Sequence, residues 1–501
     1  MKKHLTTLTL VLGFSTLTAQ DVTDALRYAQ TDMIGTARFR AMSGAFGAVG
    51  GDFSAISINP ASSAVFNNNQ FAGTLNVYTV ENKSNYFGTK TKENVSDFTL
   101  NQAGAVFVFE NNRENNDWTK LALAINYENQ NNYENRLFSS GFNPSNSVVN
   151  YFTQSANGIE FRDLDNLALN YTDFGFRGQQ AFLAYNAYLI NPVDPDNPLN
   201  GVYTSNAVGT GNFYQENEVI STGYNGKLSF NASALYQDRV YIGINLNSHF
   251  SDYLRSSSLY EDYADAVGAD NTIGVQALRF NNELYTYGNG FSFQLGTIIK
   301  VTNEFRLGGT YESPTWMRLN DELTQTLATD CADCPDSGYF INPQVTNVYA
   351  PYTLKTPGKL TASAAYVFAN EGMISIDYSI KDYSKTEFRP TNEFTGVNND
   401  MASNLTKSNE LRIGAEKKYK QWSFRAGYRT EGSPYDDKSR MGDLTGYSGG
   451  IGYNFGGTRL DLAYSTAKRT YGEQFLQYGM TNAAKINNKN DNVTVTLAFE
   501  L

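Results

Sequence analysis

The chain has 501 residues, a formal net charge of −11, and only two cysteines and two histidines. Such acidity argues against a nucleic-acid binder, which must displace counterions from phosphate rather than repel it, and so few Cys and His argue against zinc centres and hydrolytic triads. Aromatics make up 14% of residues against 18% charged, and mean hydropathy is −0.43, a mixture that fits a transmembrane β-barrel with one strand face to lipid and the other to the lumen. A secreted array of soluble β-sandwiches is the alternative that composition alone leaves open.

Met1–Ala19 has a basic start (Lys2, Lys3, His4), an apolar middle (Leu8 to Phe14) and small residues before Gln20. This predicts a secretory signal peptide over 1–19, cut after Ala19. Its apolar part is too short to span a bilayer, and it lacks a lipobox cysteine. Loss of Lys2 and Lys3 takes the charge from −11 to −13.

Gly35 to Phe66 follows (GTARFRAMSGAFGAVGGDFSAISINPASSAVF), too rich in small residues to build a core of its own. It reads as a plug inside whatever the rest encloses, and the plug domain is placed at 20–66. From residue 67 to 501 the period is two. Phe71, Gly73, Leu75 and Val77 alternate with Ala72, Thr74, Asn76 and Tyr78; Thr99–Glu110 and Leu121–Glu128 follow, which is the strand signal.

Between about 129 and 221 the rhythm breaks. Ser147–Phe152 and Gln179–Ile190 look like short helices, and Pro-Asp-Asn turns follow, so this stretch is expected to form a folded extracellular cap. Strands then return in pairs with tight turns at Gln237-Asp238-Arg239, Thr302-Asn303, Ala369–Gly372, Lys418-Tyr419-Lys420 and Asn454–Gly457, and the last strand runs from Val493 to Leu501. Short turns on one side and long loops on the other are the habit of outer-membrane barrels. The expected fold is all-β, a closed antiparallel barrel of about fourteen strands, which satisfies every backbone group as lipid demands.

No catalytic set, metal site or cofactor is expected, and the protein is not read as an enzyme. His249 stands alone on an inward strand face. Cys331 and Cys334 (CADC) lack further zinc ligands and a thioredoxin-like context, so a local disulfide is expected. Gly450-Ile451-Gly452 lacks the helix of a nucleotide loop, and Asp194–Asn197 reads as turn chemistry. Inward charges on the late strands (Asp377, Lys381, Arg412, Glu416, Arg425, Arg429, Asp461) suggest a salt-bridged filling shared with Arg38, Arg40 and Asp52, or else a polar pore wall. Glu416 and Arg425 flank one tight turn, within reach of a diagonal cross-strand contact.

Three groups of residues carry a resemblance. They are Gly35-Thr-Ala-Arg with Ser43–Ala48, Asp52–Ala55 and Asn59-Pro60-Ala61; then Tyr311-Glu-Ser-Pro-Thr315 and Thr356-Pro-Gly-Lys-Leu360; then Arg412–Glu416 with Arg425–Tyr428 and Ser433-Pro434. In this order they resemble the FadL family of outer-membrane transporters for long-chain fatty acids and other hydrophobic compounds. The resemblance implies that the plug is that family's N-terminal hatch, with Gly44, Gly47, Asp52, Asn59, Pro60 and Ala61 as its motif. It further implies a hydrophobic ligand caught at extracellular loops, passed by the hatch and released sideways into lipid with no energy source. By position, the substrate contacts would be Phe46 and Phe53 of the hatch and Phe152, Leu167, Leu169, Phe182 and Leu183 of the cap. The implied partners are the ligand, outer-membrane lipid and the barrel assembly machinery that reads a terminal strand; the location is a Gram-negative outer membrane. A surface adhesin or structural barrel and a general polar porin stand as alternatives.

Overall fold

Wherever polar and apolar residues alternate, the chain forms strands that turn their apolar members outward. In the computed structural model, residues 20–111, 116–334, 338–369 and 371–501 are described; the predicted leader and Asn370 of one turn lie outside them. Fourteen antiparallel strands close into a barrel. In chain order they are β1 (Gln70–Tyr86), β2 (Thr89–Glu110), β3 (Trp118–Asn132, resumed as Asn135–Asn143), β4 (Phe213–Tyr236), β5 (Val240–Asp262) and β6 (Val275–Lys300). Then come β7 (Phe305–Glu312 and Trp316–Cys331), β8 (Tyr352–Lys355 and Lys359–Phe368), β9 (Gly372–Asp382) and β10 (Lys407–Tyr419). The last four are β11 (Trp422–Glu431), β12 (Leu444–Asn454), β13 (Thr458–Gln474) and β14 (Ala483–Glu500). The seam joins the first strand to the last, from Gln70↔Glu500 to Asn85↔Lys485.

On β1, Phe71, Leu75 and Val77 are exposed while Ala72, Thr74 and Asn76 are buried. The same division recurs at Leu121, Leu123 and Ile125 and at Ile242, Ile244 and Leu246, all exposed. So continuous an apolar belt is far more than a water-soluble surface tolerates and matches the lipid-facing band of a membrane barrel. Beside the tight turns, paired rings rim the belt: Trp118 with Tyr236 at 5.1 Å and Trp422 with Tyr453 at 4.8 Å. Amphipathic aromatics of this kind favour the membrane–water boundary. The tight turns take the left-handed backbone that two-residue hairpins need: Gln237 and Asp238 have φ of 47° and 53°, and Lys420 has 53°.

Strands β7 and β8 are both interrupted, at Ser313-Pro314-Thr315 and Thr356-Pro357-Gly358, where prolines remove ladder donors. Hydroxyls repair the wall. The Phe293 amide donates to Ser313 Oγ at 2.9 Å, and the Thr315 amide to Thr356 Oγ1 at 3.2 Å. These two stretches are among those that carried the family resemblance.

The strands outrun their apolar alternation. β6 has 26 residues, and the upper halves of β4 to β7 are rich in Ser, Asn, Thr and Tyr. The second half of β3 pairs with Phe213–Ser221, so the cap proper is 144–212, shorter than the 129–221 expected from sequence. The difference has a plain cause: above the lipid the strands no longer alternate. In the cap, α4 (Val149–Ala156) and α5 (Phe176–Asn186) pack around an apolar core that includes Phe152, Leu183, Phe213 and Phe280. Cys331 and Cys334 are joined by a disulfide at the end of β7.

Residues 20–66 lie inside the barrel. They form α1 (Val22–Ala29), α2 (Ala37–Ala41), α3 (Ala55–Ile58) and a 3₁₀ turn (Pro60–Val65). Almost every residue from Gly35 to Phe66 is buried. Phe39, Met42, Phe46 and Val49 pack on Ala365 and Met373 of the wall, while Phe53, Ile56 and Phe66 pack on Ala72, Val106 and Ala122. The core missing from this stretch is supplied by the wall around it.

Candidate functional site

The hatch is fixed to the wall by polar groups that the strands point inward. Asn59 is fully buried: its Oδ1 accepts the Ala61 amide at 3.1 Å, capping the 3₁₀ turn, while its Nδ2 donates to Gly47 O at 2.7 Å and Thr297 O at 2.9 Å. One side chain thus joins two hatch loops to β6. Pro60 follows in the first position of the turn, where its missing N–H costs nothing. Asp52 accepts from Thr36 Oγ1 at 2.8 Å and from the Ser54 amide at 3.0 Å, tying the start of α2 to the start of α3.

The charges around Glu416 form the expected filling, but not every inward charge is paired. Glu416 and Arg425 pair directly in register, Oε2 to Nε at 2.6 Å, rather than diagonally; Arg38 of the hatch meets the same oxygen at 3.1 Å, and Asp461 holds Arg425 Nη1 at 2.7 Å. Against the downward pull of burial, Glu416 holds the Arg38 guanidinium above its ordinary value. Arg40 differs: it donates to Ser465 Oγ at 3.0 Å but forms no ion pair among the described residues, and its Nε is buried without a partner.

The ladder of the wall parts between β2 and β3. β2 pairs with β3 from Glu110↔Lys120 only as far as Gln102↔Glu128. Above that point Thr89–Leu100 pair with β1 alone, Asn101 bulges, and β3 bulges between Asn129 and Asn131 and breaks at Tyr133-Glu134. Two side-chain bonds join the parted strands, Asn132 Nδ2 to Asp97 Oδ2 at 2.9 Å and, further along, Thr91 Oγ1 to Phe138 O. Behind it runs the hatch segment from Gln30 to Gly35. The Asp32 amide donates to Gln130 O at 3.1 Å, Asn131 Nδ2 to Gln30 O at 3.3 Å, and Asn101 Nδ2 to Gly35 O at 2.9 Å. Buried backbone groups need partners, and here the hatch supplies those that a neighbouring strand would otherwise provide.

A chamber of about 300 Å³ opens behind this gap, lined by Arg27, Asp32, Tyr78, Asn131–Asn135, Tyr253, Arg429 and Tyr471 among others. A narrower niche, sharing Asp32, Tyr78, Asn132, Arg429 and Asn490, continues downward to Met33, Ile34, Arg40, Asn76 and Asn101. Burial raises the Asp32 carboxyl against the opposing pull of Arg429 and Arg40.

The residues proposed from sequence as substrate contacts do not converge. Phe152 and Leu183 are buried in the cap core with Phe182 against it, whereas Leu167 is fully exposed and Leu169 half-buried. Phe46 packs on Phe39 beneath the Arg38 guanidinium, and Phe53 on Phe66, both within the hatch core. The chamber and its niche together instead gather inward-facing polar residues of β1, β2, β3, β11 and β14 around Asp32. Their sequence signal was present as asparagine at inward positions such as Asn76, Asn490 and Asn492. His249 sits in the wall, its ring nitrogens bonded to Gln130 and Ser292.

Solved structures share this architecture. A FadL homologue from Pseudomonas aeruginosa is 12% identical, with 94% of this chain and 99% of that one covered, at a TM-score of 0.55. The toluene transporters TodX of Pseudomonas putida and TbuX of Ralstonia pickettii are 15% and 14% identical, each with 94% and 99% covered, at a TM-score of 0.48. The first of these establishes a common fold over nearly the whole chain. No protein-family model and no curated protein matches the sequence.

Proposed function

We propose that this chain, which has the fold of the FadL-type outer-membrane transporters, is a passive outer-membrane channel for hydrophobic small molecules, long-chain fatty acids among them. One observation carries the reading: a chamber walled by the hatch and by the inward faces of the strands lies beside the end of β3 where β2 and β3 part. A solute that reaches the chamber is then beside lipid, not above a water-filled pore. A general polar porin would need an open lumen, and the hatch occupies it.

On this reading the cap collects the ligand, the segment from Gln30 to Gly35 gates the chamber, and the gap releases the ligand sideways into the membrane. The driving force is the transfer of apolar surface out of water, about 25 cal/mol per Å², so no energy source is required. The leader at 1–19 directs export, and the last strand is what the barrel assembly machinery of a Gram-negative cell reads.

The test is a staple across the gap. Asp97 and Asn132 already touch, so the double variant Asp97→Cys with Asn132→Cys should form a disulfide there when oxidised. Uptake of a labelled fatty acid by cells carrying it should fall to the level of the gene deletion, while each single-cysteine variant keeps uptake. Full uptake through a verified staple would overturn sideways release, and uptake unaffected by deleting the gene would overturn the transport reading itself.

A further inference from the structure

The outer face of the wall carries a cavity that neither the hatch nor the lateral gap uses. We propose that it seats the sugar head group of an outer-leaflet glycolipid, so that one lipid of the surrounding membrane is held against β4 to β7. The inference rests on the barrel standing in an outer membrane, not on what passes through it.

Register puts the cavity on the outside. Two rows of residues cross four strands: Glu218, Ser258, Asn281 and Thr326 are cross-strand neighbours, and so are Ile220, Ser256, Glu283 and Thr324. All eight share the face of Tyr224, Leu246, Phe291 and Trp316, the lipid-facing one, because side chains alternate along a strand. A depression of about 340 Å³ lies over these rows, and among the described residues neither the hatch nor a cap helix lines it. That volume suits a small ligand. The floor is low because Ser256, Ser258, Asn281, Thr324 and Thr326 are short. Taller groups rise on either side: Tyr260, with the Arg279 guanidinium 4.8 Å from its ring, above, and Tyr285 stacked on Tyr287 at 5.2 Å below.

The chemistry is that of a saccharide site. Hydroxyl and amide side chains both donate and accept, as a polyhydroxylated ring requires of its partner, and tyrosine rings offer apolar faces to its C–H side. Glu283 forms no ion pair among the described residues and receives one long bond, from Ser256 Oγ at 3.4 Å. Glu218 meets Arg136 at 3.8 Å. Carboxylates so lightly engaged can accept sugar hydroxyls in charge-assisted bonds. In these rows and the two beside them, the acids Glu216, Glu218, Glu283 and Glu322 outnumber the bases Arg136 and Arg279. The surface therefore favours an uncharged sugar over a phosphorylated one.

Height decides which lipid can reach it. Trp316 and its cross-strand neighbour Phe291 close the top of the apolar belt here, and the next outward pair, Arg318 with Asn289, is polar. Nine residues of β7 separate Trp316 from Gln325, beneath the middle of the cavity. At about 3.3 Å per residue and a tilt of about 40°, the cavity stands roughly 23 Å above the belt. Phospholipid head groups add only about 5–8 Å to each side of the hydrocarbon and fall short. A head several sugars tall does not.

The probe is rough lipopolysaccharide, a glycolipid with a short sugar chain. The purified full-length protein in a nonionic detergent is mixed with it, and the sugar retained per barrel is measured at rising concentration. Binding is expected to saturate at one glycolipid per barrel. The double variant Ser258→Trp with Asn281→Trp, which fills the depression from the outside, should weaken it at least about tenfold, the scale of one lost hydrogen bond to a charged group. The same lipid stripped of its sugars by acid should bind the unaltered protein at least about tenfold more weakly than the intact one. Equal retention of intact and stripped lipid would overturn the sugar seat, and that comparison needs no variant to fold. Undiminished binding by the filled variant would overturn the assignment to this cavity. A photoreactive residue in place of Asn281, illuminated in intact cells, is expected to give a sugar-bearing adduct; an adduct with a protein, or none, would overturn the proposal. Uptake is not among these readouts, so none of them decides the channel reading.

Discussion

Asp377, on the inner face of β9, accepts the backbone amides of two successive hatch residues, Phe46 at 3.0 Å and Gly47 at 2.9 Å. Gly47 can approach only because it has no side chain. A Cβ there would strike Ser363 Oγ, and the wall opposite is itself a glycine, Gly308, whose own Cβ would strike Gly47 O. Gly47→Val should therefore unseat the hatch, yet the ladder that closes the barrel owes nothing to this contact. The expected result is a rise in single-channel conductance and in sensitivity to bulky antibiotics, with the heat-modifiable folded band retained on gels. Loss of that band along with the gating change would refute the claim.

The Arg38–Glu416–Arg425 cluster should be a major anchor of the hatch. Glu416→Gln leaves two buried guanidiniums sharing a neutral partner, and breaking a buried ion pair costs about 3–5 kcal/mol. Asp461 still holds Arg425, so the loss should fall on Arg38. Denaturant unfolding should show a lower midpoint for the hatch, read by proteolysis at the N-terminal segment, before any change in barrel strand content by circular dichroism.

Within the cap, two candidate ligand contacts should behave in opposite ways. Phe152 is fully buried against Phe280 of β6, ring centres 5.2 Å apart, and Phe152→Ala should cost about 3–5 kcal/mol and make the cap protease-sensitive. Leu167 is fully exposed. Leu167→Ser should change stability by less than about 0.5 kcal/mol, so any loss of ligand capture in that variant would mark the residue as a contact rather than a support.

Acid should tighten the first helix. Burial, reinforced by Asp21, pushes the Asp24 carboxyl up to about 6, against the pull of Arg27. A carboxyl whose folded value is raised binds its proton more tightly when folded, so its ionisation costs stability above that value, and the cost disappears as pH falls through it. Once the base-catalysed intrinsic rate is divided out, amide protection over Val22–Ala29 should rise as pH falls from about 6 towards 3.8, and Asp24→Asn should flatten this dependence. Protection that stays constant or falls over that window would contradict it.

Much of the architecture is legible in the sequence because lipid imposes one rule on every strand. Phe71, Leu75 and Val77 alternate with Ala72, Thr74 and Asn76, and the wall follows, down to the count of strands. Above the lipid that rule lapses: the upper half of β3 carries Ser139, Ser140 and Asn143 where alternation would be needed to reveal it, and the cap boundary was misjudged accordingly. The candidate site was harder still. Apolar side chains such as Phe152 and Leu183 suggest a greasy groove, but they build the cap instead. The chamber is made where strand pairing stops, between Asn101 and Asn132, and pairing is a relation between distant segments that no local pattern reports. Arg40 was visible as a charge, but its buried, unpartnered Nε is a property of three dimensions.

The length of β6 also fixes how high the molecule stands. Twenty-six residues at about 3.3 Å each run to roughly 85 Å of strand, which a tilt of about 40° reduces to some 65 Å of height. The hydrocarbon layer takes up less than half of that. The cap is thus raised on a polar turret of strand, well clear of the hydrocarbon layer, and whatever it holds is held at a distance from the lipid that only the barrel interior bridges.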